Sequence, residues 1–263
     1  MSREDQWSDL AARLGSGAVM LIVGLGAVYA GGHVFHAFVA VLCGAMMWEL
    51  VRMLAPHMPA LALKMGGLAG VAVMLAIYLP VGYALPLLLA PALVGFGLLA
   101  HNRSVYMTFS VLVLLAGFGM MSVRDDFGFV WMLWLACVVV ATDVAGYFAG
   151  RMLGGPKFWP RISPKKTWSG TVAGWIVAGL IGAAFAYGAD VGLDLIGISI
   201  SVSMASQIGD IGESAVKRRV NVKDSSGLIP GHGGLLDRFD GMLGASVFLL
   251  FIGQFIGFPP GLG

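Results

Sequence analysis

Two carboxylates, a hydroxyl and an ammonium group are spaced for chemistry along one short segment. Positions i, i+3, i+4 and i+7 of that segment are Asp210, Glu213, Ser214 and Lys217. On an α-helix these positions share one face. Residues 195–209 before them are mainly apolar, so the pattern predicts a helix that ends in a charged stripe. Such a stripe could bind a metal ion and phosphates, or it could be a solvated helix end.

A glycine-rich loop follows and leads to a second pair of carboxylates. Three glycines surround His232 in Gly231–Gly234, and without a Cβ they let the backbone approach an anionic ligand closely. Asp237 and Asp240 are three residues apart, so one helical turn aims both the same way. With Asp210 they could hold Mg²⁺, which prefers hard oxygen ligands and substrate phosphates. His232 could donate to a phosphate or transfer a proton, unless it is only a structural hydrogen-bond partner.

A basic loop forms the third candidate segment. Residues 150–169 contain five basic residues and no acidic one. Lys165 and Lys166, flanked by Ser163 and Thr167, are suited to phosphate binding just before an apolar helix, whose N-terminal amides add partial positive charge. The alternative is a loop attracted to anionic lipids. Both interpretations hold if the substrate is itself an anionic lipid.

The composition shows what kind of chain must position these residues. Of 263 residues, 58% are hydrophobic and only 11% are charged, whereas a soluble domain has about 25% charged residues. Together with a mean hydropathy of +0.87, this excludes a soluble globular protein, and it equally excludes a disordered chain. Nothing in the charge pattern indicates nucleic-acid binding. The chain is therefore predicted to be a polytopic membrane protein.

The uncharged stretches predict about nine transmembrane helices. Since no strand alternation is evident and open sheet edges cannot face lipid, the expected fold class is all-α. The first two stretches are long enough for two spans each, with turns near Gly31-Gly32 and at Pro80 to Gly82. The predicted spans lie within 14–48 (two), 65–100 (two), 104–123, 127–148, 167–189, 192–209 and 241–259.

Nine spans place almost all basic residues on one side of the membrane. The N-terminus and the connections near 52–64, 101–103, 150–169 and 210–240 hold fifteen of the sixteen Lys and Arg residues, and only Arg124 falls on the other side. The positive-inside rule then places the N-terminus and these loops in the cytoplasm. We therefore expect any active site at the cytoplasmic face.

The expected organisation has three parts. Residues 1–14 form a cytoplasmic N-terminal segment, 15–140 the N-terminal transmembrane helices, and 141–263 a catalytic transmembrane region with cytoplasmic loops 150–169 and 210–240. Asp143 lies inside the sixth predicted span, where an ionisable group is costly and is a functional hypothesis by default. Tyr147 is one turn later on the same face. The alternative for Asp143 is a polar contact to a neighbouring helix.

The polar segments resemble the phosphatidate cytidylyltransferases, also called CDP-diacylglycerol synthases. Residues 214–240 read SAVKRRVNVKDSSGLIPGHGGLLDRFD, which follows the signature of that family throughout. TDVAGYFAGR (142–151) and SPKKTWSG (163–170) are also similar to the family. Ser169 departs from it, because the family usually has Glu there. The resemblance covers the chain from about residue 140 onward.

The resemblance implies a reaction in which CTP and phosphatidate give CDP-diacylglycerol and pyrophosphate with Mg²⁺. It also implies a multi-pass protein of the inner cell membrane that forms a homodimer. We expect Asp210 and Asp237 to bind the metal ion, with Asp240 and Lys217 as further catalytic residues. Asp143 would orient a lysine or complete a second cation site, and Tyr147 and Glu213 are weaker candidates. The predicted substrate-binding residues are Ser163, Lys165, Lys166, Thr167, Ser214, Arg218, Lys223, Asp224, His232, Gly233, Gly234 and Arg238.

Three other functions fit parts of this pattern. One is a cytidylyltransferase or a CTP-dependent kinase that acts on another lipid or lipid phosphate. Another is a small membrane transporter, which would instead need charged or broken helices at the membrane midplane. A CDP-alcohol phosphotransferase is disfavoured, because no Ala-Arg of that family's pattern follows Asp240-Gly241.

Overall fold

The computed structural model describes residues 3–260, and for residues 3–13 and Val81 it describes the backbone only. The described chain is mostly helical, as predicted. Its helices are α1 (Arg3–Ala30), α2 (Gly32–Leu54), α3 (Pro59–Ala76), α4 (Val81–Leu98), α5 (Arg103–Phe127), α6 (Phe129–Met152), α7 (Trp168–Gly188), α8 (Asp194–Arg219) and α9 (Leu236–Ile252). Two short strands, β1 (Lys157–Trp159) and β2 (Ser163–Thr167), lie between α6 and α7.

Each predicted span overlaps one of these helices. Within the described residues, α2, α3, α5, α6, α7 and α8 are long and apolar enough to cross a membrane. The apolar parts of α1 and α4, Leu14–Ala30 and Gly82–Leu98, are shorter. The chain is thus consistent with a polytopic membrane protein, and the number of nine crossings and their orientation stay predictions.

The predicted turns are confirmed, and some helix ends differ. Gly31 and Gly32 separate α1 from α2 with positive φ angles of 63° and 47°, which glycine adopts without the steric cost of a Cβ. The chain also turns before Val81, as Pro80 indicates. Helix α8 continues ten residues beyond Gly209 and α9 begins five residues before Gly241, so both helices extend past the predicted spans into the charged segments that were predicted to be helical.

A small sheet in the basic loop corrects the all-α prediction. Strands β1 and β2 pair antiparallel, with Lys157 opposite Thr167 and Trp159 opposite Ser163. Three and five residues are too short to show a period of two in the sequence, and a proline at position 164 disfavours a strand. The segment that was interpreted only as a loop therefore contains a β-hairpin.

The described chain divides into two compact units. The first comprises the residues up to Met121 together with Arg219–Phe239, and the second comprises Ser122–Arg218 together with the residues from Asp240 onward. The division falls within α5, α8 and α9. The expected organisation into segments 1–14, 15–140 and 141–263 stays a prediction.

Close backbone contact joins α2 to α3 in the first unit. A Cβ on Gly44 would lie 2.9 Å from the carbonyl oxygen of Gly66, and one on Gly66 would lie 2.7 Å from that of Gly44. Small residues at such a contact let helices pack closely within a membrane. On the buried side of α2, Met46 and Met47 are completely enclosed, and so is the carboxylate of Glu49.

The second unit is also built on glycine contacts. A Cβ on Gly170 of α7 would collide with the carbonyl oxygen of Gly146 in α6. A Cβ on Gly209 of α8 would collide with the carbonyl oxygen of Asp240 in α9. The hairpin, α8 up to Arg218 and α9 from Asp240 onward all belong to this unit.

Candidate active site

The predicted charged stripe is present on α8 in the second unit. Helix α8 is unbroken from Asp194 to Arg219, so Asp210, Glu213, Ser214 and Lys217 share one face. The Ser214 hydroxyl donates to Asp210 Oδ1 at 3.3 Å. We call this stripe, together with Lys166 of β2 and Asp240 of α9, the helical cluster.

Two ammonium groups pair with two carboxylates of the helical cluster. Lys166 Nζ contacts Asp210 Oδ2, and both side chains are about one quarter exposed, at 24% and 25%. Lys217 Nζ lies 2.6 Å from Glu213 Oε2, and the Glu213 side chain is fully buried. A buried carboxylate is costly unless it is paired. Glu213 is therefore held by Lys217, and this lysine has a structural contact in addition to its predicted catalytic role.

Asp240 adds a third carboxylate to the helical cluster. It precedes the ninth predicted span, and its Oδ1 accepts from the N–H of Gly241 at 2.7 Å. Desolvation, followed by the negative charge of Asp210, raises the pKa of the Asp240 carboxyl to about 8, and Asp143 acts in the same direction. The Asp240 carboxylate is therefore close enough to those of Asp210 and Asp143 for their negative charges to oppose its ionisation, and a cation beside it would offset that repulsion.

The predicted phosphate-binding residues of the hairpin differ in their exposure to solvent. Lys165 is exposed, whereas Thr167 is buried. Thr167 Oγ1 accepts from the N–H of Gly170 at 3.2 Å and thereby caps the N-terminus of α7. The neighbouring Ser169 hydroxyl donates to the carbonyl of Gly154. Thr167 thus has a local structural function that its spacing did not reveal.

Arg218 and Tyr147 have partners near the hairpin and on α6, respectively. Arg218 Nε donates to the carbonyl of Ile162 at 3.4 Å, between the two strands. Tyr147 Oη accepts from Arg151 at 2.8 Å, one turn along α6. Asp143 is exposed on the same helix. The second unit therefore brings together most of the residues predicted before position 219.

The glycine-rich loop lies in the first unit and is held by Asp237. Asp237 Oδ2 accepts three hydrogen bonds of 2.8 Å, from the N–H and the hydroxyl of Ser225 and from the N–H of Gly234. The carboxylate thus closes the loop 225–234 onto the first turn of α9. This structural role comes in addition to the metal binding predicted for Asp237, which the structure leaves as a prediction.

Glu49 of α2 is the residue that sequence reasoning missed. Its Oε2 accepts from the N–H of Leu236 at 2.7 Å, and its Oε1 accepts from the N–H of Leu235 at 2.9 Å. The hydroxyl of Ser226 donates to Oε1 at 2.6 Å. A single acidic residue at the end of a long uncharged run was the only signal in the sequence. We call Glu49, Ser225, Ser226, Gly234 and Asp237 the loop cluster.

His232 is oriented by α1 in the first unit. Its Nδ1 lies 2.8 Å from the Ser16 hydroxyl oxygen, and this hydroxyl also lies 3.0 Å from the carbonyl of Pro230. A carbonyl can only accept, so a Ser16 hydroxyl that donates to Pro230 accepts from Nδ1–H. Arg238 Nε donates to the His232 carbonyl at 2.9 Å.

Two glycines of the loop are required, one by its backbone conformation and one by the lack of space for a side chain. Gly233 has φ of 80°, in the left-handed region that favours glycine. A Cβ on Gly234 would collide with Ser225 Oγ and lie 2.5 Å from Glu49 Oε1. Lys223 and Asp224 are exposed on the same loop. The glycines thus shape the loop, and close approach to an anionic ligand stays a prediction.

The two predicted metal ligands belong to different units, Asp210 to the second and Asp237 to the first. Among the residues that the structure describes, no three His, Cys, Asp or Glu side chains are grouped as a metal site. The proposed metal site therefore remains a hypothesis.

Comparisons with known proteins agree with the sequence signature. The family model described as "Cytidylyltransferase family" matches residues 11–256. A phosphatidate cytidylyltransferase of Brucella suis biovar 1 (strain 1330) is 43% identical over 157 residues, 55% of this chain and 56% of the relative. One of Bacillus subtilis (strain 168) is 40% identical over 131 residues, 49% of each chain. One of Helicobacter pylori (strain ATCC 700392 / 26695) is 41% identical over 128 residues, 48% of each chain. The matches span about half the length of these curated relatives.

Proposed function

Since the chain belongs to the cytidylyltransferase family, we propose that it transfers CMP from CTP to phosphatidate, giving CDP-diacylglycerol and pyrophosphate. The observation that carries this proposal is the helical cluster. Two ammonium groups and three carboxylates meet where α8 leaves its apolar run. Such a site suits two substrates that both bear phosphate, one in solution and one in lipid.

The reaction requires charge neutralisation more than a base. A phosphate oxygen of phosphatidate attacks the α-phosphorus of CTP, and the bond from that phosphorus to the bridging oxygen breaks, so that pyrophosphate leaves. The nucleophile is already an anion, so no strong general base is needed. The protein must instead align both groups in line and offset the negative charge.

The basic residues near the two clusters supply that positive charge. Lys217 and Lys166 already contact carboxylates in the second unit, so they are positioned by those contacts before substrate binds. We assign Arg218 and Lys165 to phosphate oxygens on the same unit, and Ser163 and Ser214 to hydrogen bonds with them. We assign the same role in the first unit to Lys223 on the loop and to Arg238 in the first turn of α9.

Mg²⁺ is the proposed cofactor, and the donor set fits it. Asp210 and Asp240 are carboxylates that repel each other, and hard oxygen ligands are those that Mg²⁺ prefers. Asp210 and Asp237 are the proposed ligands of the ion, with Asp240 as a further candidate, and Oδ2 of Asp237 already accepts three hydrogen bonds. When bound, the ion would neutralise phosphate charge and polarise the phosphoryl oxygens.

We further propose that the chain crosses the inner cell membrane nine times with a cytoplasmic N-terminus and forms a homodimer. The basic loops support this orientation. Reporter fusions after Asn102 and after Asp126 test it, since the first should be cytoplasmic and the second should lie outside. Crosslinking in native membranes tests the dimer. A cytoplasmic reporter at both positions would contradict the topology.

A turnover assay tests the function. Purified protein in detergent would receive phosphatidate, Mg²⁺ and CTP labelled in turn on the α- and the γ-phosphate, with and without EDTA. We expect EDTA-sensitive α-label in the lipid fraction and γ-label in released pyrophosphate. γ-Label in lipid would instead indicate a CTP-dependent kinase. Label transfer only to a different lipid phosphate would assign another acceptor, and no transfer to any lipid would favour the transporter.

A further inference from the structure

We propose that Glu49 is a positioning residue of the active site, which fixes the glycine-rich loop and the first turn of α9 from the distant helix α2. This inference rests on the proposed function, because it concerns the same loop. Glu49 itself carries no predicted contact with substrate. It acts through Ser225, Ser226, Gly234 and the N-terminus of α9.

The contacts of Glu49 all come from one short segment. The Ser226 hydroxyl donates to it at 2.6 Å, and the N–H groups of Leu235 and Leu236 donate at 2.9 and 2.7 Å. The Ser225 hydroxyl oxygen lies 3.4 Å from Glu49 Oε2. The first N–H groups of a helix have no partner within the helix. A buried carboxylate at that end satisfies them and interacts favourably with the partial positive charge of the helix terminus.

Ser225 connects Glu49 to the predicted metal ligand. Its hydroxyl lies 2.8 Å from Asp237 Oδ2 and 3.4 Å from Glu49 Oε2. The N–H of Gly234 also donates to Asp237, and a Cβ on Gly234 would lie 2.5 Å from Glu49 Oε1. Glu49 thus holds the two residues that precede Asp237 in the chain, and the Ser225 hydroxyl lies between the two carboxylates.

A buried acceptor with several donors cannot be removed without consequence. If the carboxylate is lost, two backbone N–H groups and the Ser226 hydroxyl lose their partner, and a buried polar group without a partner is costly. The loop can recover part of that cost by moving toward water. Such movement would displace Asp237 and the glycines, so the effect on turnover should exceed the effect on the rest of the fold.

The test compares Glu49→Gln with a matched control in the same unit. Gln keeps the shape of Glu but replaces one acceptor oxygen with an NH₂ donor, which faces the existing donors. The control is Ser110→Ala on α5, which removes a buried hydrogen bond of 2.6 Å to the Tyr106 carbonyl. Ser226→Ala is a milder variant that removes only one donor to Glu49.

Two measurements on the purified full chain decide the proposal. Hydrogen exchange should become faster in peptides covering 222–239 for Glu49→Gln, and to a smaller degree for Ser226→Ala, while peptides of α3 stay unchanged. The kcat for CMP transfer should fall by about 10- to 100-fold with a smaller change in the KM for phosphatidate. Ser110→Ala should change neither quantity.

The outcomes separate this inference from the proposed function. Unchanged exchange over 222–239 in Glu49→Gln would overturn the inference, and so would exchange that rises equally in all peptides. A kcat equal to that of the unaltered protein would also overturn it. If the unaltered protein transfers no CMP, the proposed function fails, and the exchange measurement still decides whether Glu49 holds the loop.

Discussion

Glu49 and Glu213 are both completely buried carboxylates, one in each unit, and they are held in different ways. Glu49 accepts from the Ser226 hydroxyl and from two backbone N–H groups. Glu213 faces the ammonium group of Lys217 at 2.6 Å. The first arrangement keeps the carboxylate charge among neutral donors, whereas the second offsets it with an opposite charge. The loop cluster thus depends on hydrogen-bond geometry, and the helical cluster on the pairing of charges.

The largest expected effect follows from the charge of the helical cluster. Asp210→Asn removes a carboxylate that contacts Lys166 and that we assign to the metal ion. We expect CMP transfer to fall by at least about 100- to 1000-fold in a steady-state assay, while the protein stays folded in detergent. The control is Asp190→Asn, at a φ of 52° that asparagine tolerates. Near-normal turnover in Asp210→Asn would show that the metal assignment is wrong.

Two lysines of the second unit form ion pairs that differ in burial, and their variants compare the two pairs. Lys217→Met leaves the buried Glu213 without its ammonium partner, and breaking such a pair costs about 3 kcal/mol or more. Lys166→Met breaks a more exposed pair, which should cost below about 1 kcal/mol. Thermal unfolding in detergent should therefore show a clearly lower Tm for Lys217→Met only. Equal shifts for the two variants would mean that burial does not distinguish the pairs.

Gly234→Ala tests the shape of the loop cluster directly. The new methyl group would collide with Ser225 Oγ and approach Glu49 Oε1 to 2.5 Å. Overpacking of this kind costs about 1–3 kcal/mol, and displacement of the loop should reduce CMP transfer by about 10- to 100-fold. The matched control is Gly227→Ala on the same loop, where a Cβ meets nothing within 4 Å. If both variants keep full activity, the loop is not sterically fixed at Gly234.

The smallest effect is expected at a local helix cap. Helix α7 is capped by the adjacent Thr167, whereas the N-terminus of α9 is satisfied by Glu49, far away in the sequence. Thr167→Ala should lower stability by about 1 kcal/mol, measured as a small decrease in Tm. Thr167→Ser keeps the hydroxyl and should lie close to the unaltered protein. A serine variant as unstable as the alanine variant would exclude the cap as the cause.

Local patterns in the sequence predicted most of the fold. Long uncharged runs predicted the helices, and the spacing of Asp210, Ser214 and Lys217 predicted one face of α8. Such features depend on neighbours three or four residues apart, which a single sequence displays. The hairpin β1–β2 was missed because its strands are too short to show a period.

Contacts between distant residues could not be predicted. The hydrogen bonds of Glu49 with Ser226 and Leu236 join positions that are far apart in the sequence, and no local periodicity relates them. A lone glutamate after Trp48 does not indicate which residues it contacts. Lys166 and Asp210 were both expected in the site, but only the fold shows that they pair. The sequence therefore identified the residue types of the helical cluster and lacked the geometry of the loop cluster.

The separation in sequence between Glu49 and its partners also affects when the first unit can pack during synthesis. Leu235 follows Glu49 by 186 residues. At a synthesis rate of about 5–20 residues per second, the carboxylate exists for about 10–40 s before those donors are made. If Glu49 were buried during that interval, its charge would lack these hydrogen-bond donors, which is costly. We therefore expect Glu49 to stay hydrated until the donors are made. The first unit therefore cannot reach its final packing until residue 236 has left the ribosome.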